Sequence, residues 1–295
     1  MAQGLCVLLQ VVFLAGCGRK DAVPLVRPEF HAREIAERLC ALGPRDAMTP
    51  GAAAAAEWIA DELRYMGVKP VVDEFNDPGE NGTRRIFRNV IATLPGSGSR
   101  HFLLLSHYDT KSGLADDFIG ANDGGSSTAL LLALAKWYRD NPAEATLSFA
   151  FLDGEECVTE YGRYDGLHGS RHLAGRLKTS GTRLDGVILL DMVGDGNLSL
   201  TIPANCNRKM VAALRQAANA LEVGMRMEEE NFEMIDDHDP FHKLGYPALD
   251  IIDFEYGSRP GLNDYWHTPE DTVDKLSDAT LDTVGALVIG TLSRL

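Results

Sequence analysis

The sequence predicts an α/β fold in which a mixed, mostly parallel sheet lies between two layers of helices. Short apolar runs typical of buried strands alternate with segments that have helical spacing. Polar side chains follow several of these runs at their C-terminal ends, which is the sheet edge where open α/β sheets bind ligands. The 295 residues, of which 45% are hydrophobic and 24% charged, can bury one large core, so we expect a single folded domain.

The first helices are predicted from apolar spacing and from turn residues. Ile35, Leu39 and Leu42 lie on one face of a helix that stops at Gly43-Pro44. Thr49-Pro50 opens the next one, since proline is favoured in the first helical turn. The predicted helices cover residues 31–42, 49–67, 124–137, 170–177, 208–221 and 278–292.

The strands are predicted from apolar runs too short for helices and bounded by polar or turn residues. They cover residues 71–75, 89–94, 101–106, 146–152, 187–190 and 246–252. Residues 158–167 read as a polar loop. The alternation of strands and helices favours a three-layer sandwich with helices on both faces of the sheet.

The N-terminal segment is expected to lie outside this fold. Residues 5–14 are apolar apart from Gln10, and they are too short to span a bilayer, which takes about 20 residues. The run ends in Leu14-Ala15-Gly16-Cys17, which is similar to a bacterial lipoprotein signal with lipid on the Cys17 sulfur. Because no Lys or Arg precedes the run, an ordinary secretory signal is the alternative.

The predicted organisation is a signal peptide at 1–16, a tether at 17–28 after the lipidated Cys17, and the folded domain at 29–295. This places the protein in a bacterial cell envelope, with the lipid anchor as its only membrane contact. A secreted or periplasmic protein is the alternative.

The net charge limits the possible binding partners, and the cysteine pattern limits the possible disulfides. The formal net charge of -15 makes nucleic acid and anionic membrane surfaces poor partners. Cys40, Cys157 and Cys206 form no CxxC pair and are expected to be small buried apolar groups, although one disulfide stays possible.

The polar groups at the strand ends predict a metal site. Glu155 and Glu156 directly follow the strand at 146–152. One glutamate can bind a divalent cation while its neighbour moves protons for the group that the cation polarises. Similar polar residues follow other strands or lie in turns, namely His107, Asp123, Asp191 and His267.

These side chains have the composition of a zinc site. Asp123, Glu156 and His267 could supply three ligands and leave a fourth position open. His107 and Asp191 could complete a second site in which Asp123 bridges. Taken singly, Asp123 could be a helix cap, His267 a turn residue and Asp191 an exposed strand end, but jointly those interpretations are disfavoured.

The ordered motifs resemble the zinc aminopeptidase and glutaminyl cyclase family, the family-28 metallopeptidases. The resemblance runs from Gly43-Pro44-Arg45 to the C-terminal helix. Its central motifs are His107-x-Asp109, Gly120-Ala121-Asn122-Asp123, Asp153-Gly154-Glu155-Glu156, Leu190-Asp191-Met192 and His267-Thr268-Pro269. It implies a zinc exopeptidase-like fold and a substrate that is a peptide or protein N-terminus.

The resemblance implies two competing chemistries. The aminopeptidases of this family use two zinc ions, with His107 and Asp191 joining Asp123, Glu156 and His267, and the Glu155 position activates water. The cyclases use one zinc at the positions of the last three residues, and they convert an N-terminal glutamine to pyroglutamate with release of ammonia.

Three features favour the cyclase. Asp236-Asp237-His238-Asp239-Pro240-Phe241, Trp266 before His267, and Gly169-Ser170-Arg171-His172 are each similar to cyclase segments. Tyr161 departs from the animal cyclases, which have Trp near this place, so we expect a different substrate pocket.

The predicted mechanism gives catalytic roles to Glu155, Asp191 and Asp236. Glu155 would take a proton from the attacking α-amine, the two aspartates would share protons with it, and Trp266 would form an apolar wall for the glutamine side chain. A binding or scaffold protein without the chemistry is disfavoured, because every ligand and the base are present.

Overall fold

The structure, a computed structural model, describes residues 27–295. The predicted signal peptide, Cys17 and residues 18–26 of the tether lie outside the described residues. Among residues 27–295, no helix combines the length and the apolar character needed to cross a membrane.

A mixed eight-stranded sheet forms the centre of the protein, in the order β1-β2-β4-β3-β5-β8-β6-β7. Its strands are β1 (Pro70–Asn76), β2 (Ile86–Leu94), β3 (His101–His107), β4 (Thr146–Leu152), β5 (Gly186–Asp191), β6 (Ser199–Ile202), β7 (Arg226–Glu229) and β8 (Ala248–Ile252). The neighbours β4, β3, β5 and β8 are mutually parallel, so their C-terminal ends meet at one edge. The predicted α/β class with a mostly parallel sheet is confirmed.

Within residues 27–295, seven α-helices cover the two faces of this sheet. They are α1 (Ala32–Cys40), α2 (Pro50–Tyr65), α3 (Ser127–Asp140), α4 (His168–Thr179), α5 (Arg208–Ala220), α6 (Asp239–Lys243) and α7 (Asp278–Leu292). Helices α1, α2, α3, α5 and α7 pack on one face, and α4 and α6 on the other.

Successive side chains of the central strands pack against the helices on opposite faces of the sheet, so both faces are buried. In β3, Phe102 and Leu104 join the larger apolar cluster, whereas Leu103 and Leu105 join the smaller one. Successive side chains of a strand point to opposite faces, so a nearly continuous apolar run is what a strand covered on both sides requires. The predicted three-layer arrangement follows from this pattern.

Helix starts follow the capping chemistry that the sequence indicates. The Thr49 side chain accepts the N–H of Ala52 at the start of α2, where Pro50 is the first residue. Asn207 and Ser277 cap α5 and α7 in the same way. Each such cap stabilises a helix by about 1 kcal/mol.

The helix predicted at 124–137 begins later, at Ser127. The preceding residues 121–126 form a wide turn in which Asp123 has an extended ψ of 100° and Gly124 has a φ of 75°. At Gly124 a Cβ atom would lie 2.8 Å from Cε1 of His107, so only glycine fits. The turn therefore brings Asp123 close to the end of β3.

Candidate metal centre

Asp123, Glu156 and His267 converge at the C-terminal edge of the parallel strands. Each offers a ligand atom, and these atoms lie within 4.8 Å of one another. His267 Nε2 is 3.0 Å from Glu156 Oε1 and 3.2 Å from Asp123 Oδ2. Both carboxylates are buried, and the His267 side chain is 19% exposed. The structure thus brings together the three residues predicted as ligands of one zinc ion.

A second donor group shares Asp123. His107 Nε2 is 3.3 Å from Asp123 Oδ1 and 3.2 Å from Asp191 Oδ1. His107 ends β3 and Asp191 ends β5, so neighbouring parallel strands place them side by side. The two oxygens of Asp123 face different histidines, which is the arrangement that a bridging carboxylate needs.

The donor atoms fit a cation. Among the described residues, Asp123 Oδ2 and Glu156 Oε2 are buried without a hydrogen bond. Buried polar atoms are rarely left unpaired, and buried carboxylates that lie together repel one another unless a positive charge lies between them. Two carboxylates and one imidazole form a donor set that suits Zn²⁺.

Asp271 holds the turn that carries Asp123. Its Oδ1 accepts the N–H of Asn122 at 2.7 Å and the Tyr256 hydroxyl at 2.8 Å. Its Oδ2 accepts the N–H of Asp123 at 3.1 Å. Asp271 is not among the predicted site residues, because its pairing with the backbone of residues 122 and 123 depends on how the chain folds.

Arg45 also holds the turn that carries Asp123, through hydrogen bonds to backbone carbonyls. Its guanidinium is fully buried and donates to the carbonyls of Tyr108 at 2.7 Å, Ile119 at 2.7 Å and Gly120 at 3.1 Å. These bonds join the end of β3 to the start of the wide turn. Arg45 belongs to the motif Gly43-Pro44-Arg45, at which the family resemblance begins and which predicts no role for it.

Asp109 sets the positions of the two glutamates. Its Oδ1 accepts the N–H of Glu155 at 3.1 Å and its Oδ2 accepts the N–H of Glu156 at 3.2 Å. Oδ1 also lies 3.6 Å from His107 Nδ1. A single buried carboxylate therefore holds the backbone of the candidate ligand Glu156 and of the candidate base Glu155.

Glu155 lies beside the donor groups and belongs to neither of them. It is buried, and the Tyr161 hydroxyl donates a hydrogen bond of 2.9 Å to its Oε1. Burial and the Glu156 charge raise the pKa of Glu155 well above its usual value. Burial and the neighbouring Glu155 charge also raise the pKa of Tyr161, which keeps its hydroxyl a donor.

Asp236 and Asp191 lie in the same acidic neighbourhood. Burial, followed by the charges of Asp250 and Asp191, raises the pKa of Asp236 well above its usual value. Asp236 also acts on Glu155 through its charge, so the three predicted catalytic carboxyl groups influence one another. The Lys111 ammonium partly offsets the negative charge of Glu156, because its Nζ lies 3.5 Å from Glu156 Oε2.

Trp266 adjoins the candidate metal centre through its contact with His267. Its ring stacks on the His267 imidazole with centroids 4.0 Å apart and meets the Phe254 ring edge-on at 5.1 Å. The Trp266 side chain is partly exposed.

Comparison with known proteins places the chain in a family. Residues 89–292 match Peptidase family M28. A glutaminyl-peptide cyclotransferase of Drosophila melanogaster is 28% identical over 287 residues, which cover 88% of this chain and 79% of the fly protein.

Solved structures agree with this assignment. Acidobacteriales bacterium glutaminyl cyclase superposes with a TM-score of 0.84 at 33% identity, covering 95% of this chain and 98% of that one. A Zn-dependent exopeptidase from Parabacteroides distasonis gives a TM-score of 0.76 at 25% identity, covering 91% and 98%. The match over most of the chain, together with the donor groups at the sheet edge, shows that the protein belongs to peptidase family M28.

Proposed function

We propose that the protein is a zinc-dependent glutaminyl-peptide cyclotransferase, which converts an N-terminal glutamine to pyroglutamate and releases ammonia. One observation carries the proposal: Glu155 is a buried carboxylate directly beside the donor set of Asp123, Glu156 and His267 but outside it. The similarity to proteins named glutaminyl cyclase supports this choice within the family.

Asp123, Glu156 and His267 are the residues proposed to hold the metal. A zinc ion bound there supplies a Lewis acid that polarises a carbonyl oxygen. Asp109 and Asp271 would keep the ligands in place through their hydrogen bonds to the backbone.

Glu155 is the proposed general base. It takes a proton from the substrate α-amine as that nitrogen bonds to the side-chain carbonyl carbon of the same glutamine. It then returns the proton to the side-chain nitrogen, whose bond to that carbon breaks, so that ammonia leaves. Because the Tyr161 hydroxyl donates a hydrogen bond to Oε1 of Glu155, we assign the proton transfer to Oε2 of Glu155.

Asp191 and Asp236 are proposed to share protons with Glu155. Both are buried, and crowded carboxyl groups cannot all be ionised at once, so a proton stays available in the site near neutral pH. Trp266 is proposed to bind the apolar part of the glutamine side chain through the surface of its ring that His267 and Phe254 leave open.

A two-zinc aminopeptidase is the second candidate. The donor group of His107, Asp123 and Asp191 favours it, because this group would hold another cation next to the first. The similarity to a Zn-dependent exopeptidase is consistent with it. In this reaction Glu155 would remove a proton from the attacking water.

The two functions are separated by products and by metal content. Purified protein supplied with zinc is incubated with a Gln-initiated peptide and with peptides that start with other residues. The cyclotransferase is expected to give pyroglutamyl peptide and ammonia and to hold one tightly bound zinc. Release of free amino acids together with two tightly bound zinc ions would instead establish the aminopeptidase.

We further propose that the mature protein is a lipoprotein of a bacterial cell envelope, anchored through Cys17. This proposal rests on the sequence Leu14-Ala15-Gly16-Cys17, which lies outside the described residues. Labelled fatty acid should be incorporated by the wild type and not by Cys17→Ser. Equal labelling of the two proteins would exclude the anchor.

A further inference from the structure

Exposed apolar side chains are concentrated in two loops, one that follows the Glu155-Glu156 pair and one that precedes Asp236. Of the ten large apolar side chains that are exposed in residues 27–295, five lie in residues 158–164 and 232–235. They are Val158, Tyr161, Tyr164, Phe232 and Ile235. Exposed apolar groups that cluster around a site point to a ligand that covers them.

Tyr161 and Ile235 from these loops line a cavity of about 250 Å³. Leu167 and Pro240 complete its apolar lining, and both are buried. The cavity is therefore a pocket with an apolar inner surface and two partly exposed apolar residues at its mouth.

Four of the five charged residues that line this pocket have polar partners, and the fifth, Arg163, lies over the Tyr164 ring at 5.2 Å from its centroid. Lys243 Nζ is 2.5 Å from Asp239 Oδ2, and Arg171 donates to the Gly162 carbonyl at 2.5 Å. Asp165 accepts the backbone N–H groups of Val158 and Thr159 at 2.7 and 2.8 Å. Because Tyr161, Leu167, Ile235 and Pro240 form the apolar part of the lining, the pocket suits an apolar side chain.

Tyr161 connects the pocket to the chemistry. Its ring lines the pocket, while its hydroxyl lies 2.9 Å from Glu155 Oε1. In the proposed function the substrate α-amine must reach Glu155. The second residue of the peptide begins two bonds from the α-carbon that carries this amine, which puts it within reach of a pocket lined by the hydrogen-bond partner of Glu155.

We propose that the side chain of the second substrate residue binds in this pocket against the Tyr161 ring, and that Tyr161 and Ile235 are specificity-determining residues. The assignment rests on the proposed function and names its substrate class: peptides with glutamine first and a large apolar residue second. Tyr161 thereby acts twice, as a wall of the pocket and as the donor that orients Glu155.

The test compares kcat/KM for two peptides, Gln-Leu and Gln-Ser, that are identical after the second residue. Partial burial of a leucine side chain predicts a preference of about tenfold for Gln-Leu in the wild type. Ile235→Ser and Tyr161→Ala should lower this ratio to about threefold or less. Tyr161→Phe, which keeps the ring, should keep the ratio while its kcat falls for both peptides.

Val158→Ser is the matched control, because Val158 is an exposed apolar residue of the same loop that does not line the pocket. Its ratio should equal that of the wild type. Equal kcat/KM for both peptides in the wild type, or a ratio that survives in both Ile235→Ser and Tyr161→Ala, would overturn the pocket assignment and leave the cyclotransferase intact. Failure to cyclise any Gln-initiated peptide would overturn the proposed function and the pocket with it.

Discussion

Replacing Asp109 with asparagine removes the group that positions both glutamates. The Asp109 side chain is fully buried, and each of its oxygens accepts one backbone N–H, from Glu155 and from Glu156. An asparagine of nearly the same shape replaces one oxygen with an NH2 group. This group is a donor and cannot accept the second N–H.

The size of the effect follows from one unsatisfied buried donor. Leaving a buried N–H unpaired costs about 1–3 kcal/mol. If the site relieves this cost by moving the Glu155-Glu156 segment, kcat/KM should fall roughly 10- to 100-fold, since each factor of ten corresponds to about 1.4 kcal/mol. Zinc affinity should also fall by about tenfold or more, as is typical when a residue that orients a metal ligand is changed.

The assay combines zinc competition against a chromophoric chelator with kcat/KM on a Gln-initiated peptide. Asp165→Asn is the matched control, because Asp165 also accepts backbone N–H groups but lies in the loop that follows the glutamates. It should bind zinc as the wild type does. If Asp109→Asn kept both zinc affinity and kcat/KM within about twofold of the wild type, the positioning role of Asp109 would be refuted.

Three further predictions concern the base, the buried guanidinium and the metal. Glu155→Gln should abolish turnover while it retains zinc, as measured by metal analysis; an active variant would exclude Glu155 as the base. Arg45→Met should lower the melting temperature by about 10 °C. The reason is that three buried carbonyls lose a charged hydrogen-bond donor, at a total cost of about 3–5 kcal/mol. A decrease of less than about 2 °C would contradict this. Removing zinc with a chelator should lower the melting temperature by about 5–10 °C, because the crowded carboxylates lose their counter-charge, and adding zinc should restore it.

The central strands and their helices could be predicted from the sequence because burial on both faces leaves a continuous apolar run. Strands such as β5, where every residue is buried, show this pattern clearly. The short strands β6 and β7 and the helix α6 were missed. β7 has mostly charged residues at the sheet edge, and α6 is only five residues long, so neither has a periodicity that can be recognised.

The candidate ligands could be predicted because each follows a strand or lies in a distinctive turn. The residues that hold these ligands in place could not be predicted. Arg45, Asp109 and Asp271 act through hydrogen bonds to the backbone of distant segments, and such pairings depend on the folded path of the chain. Tyr161 had been noted as a departure from the animal cyclases, but its bond to Glu155 requires the loop geometry.

The most direct test of the account follows the side-chain nitrogen of the substrate. A peptide whose N-terminal glutamine carries isotope-labelled nitrogen in its side-chain amide is incubated with the zinc-loaded protein, and ammonia and peptide are analysed by mass spectrometry. The account predicts that all of the label leaves as ammonia and that the remaining peptide is pyroglutamyl. Recovery of the label in free glutamine, with a peptide shortened by one residue, would contradict it.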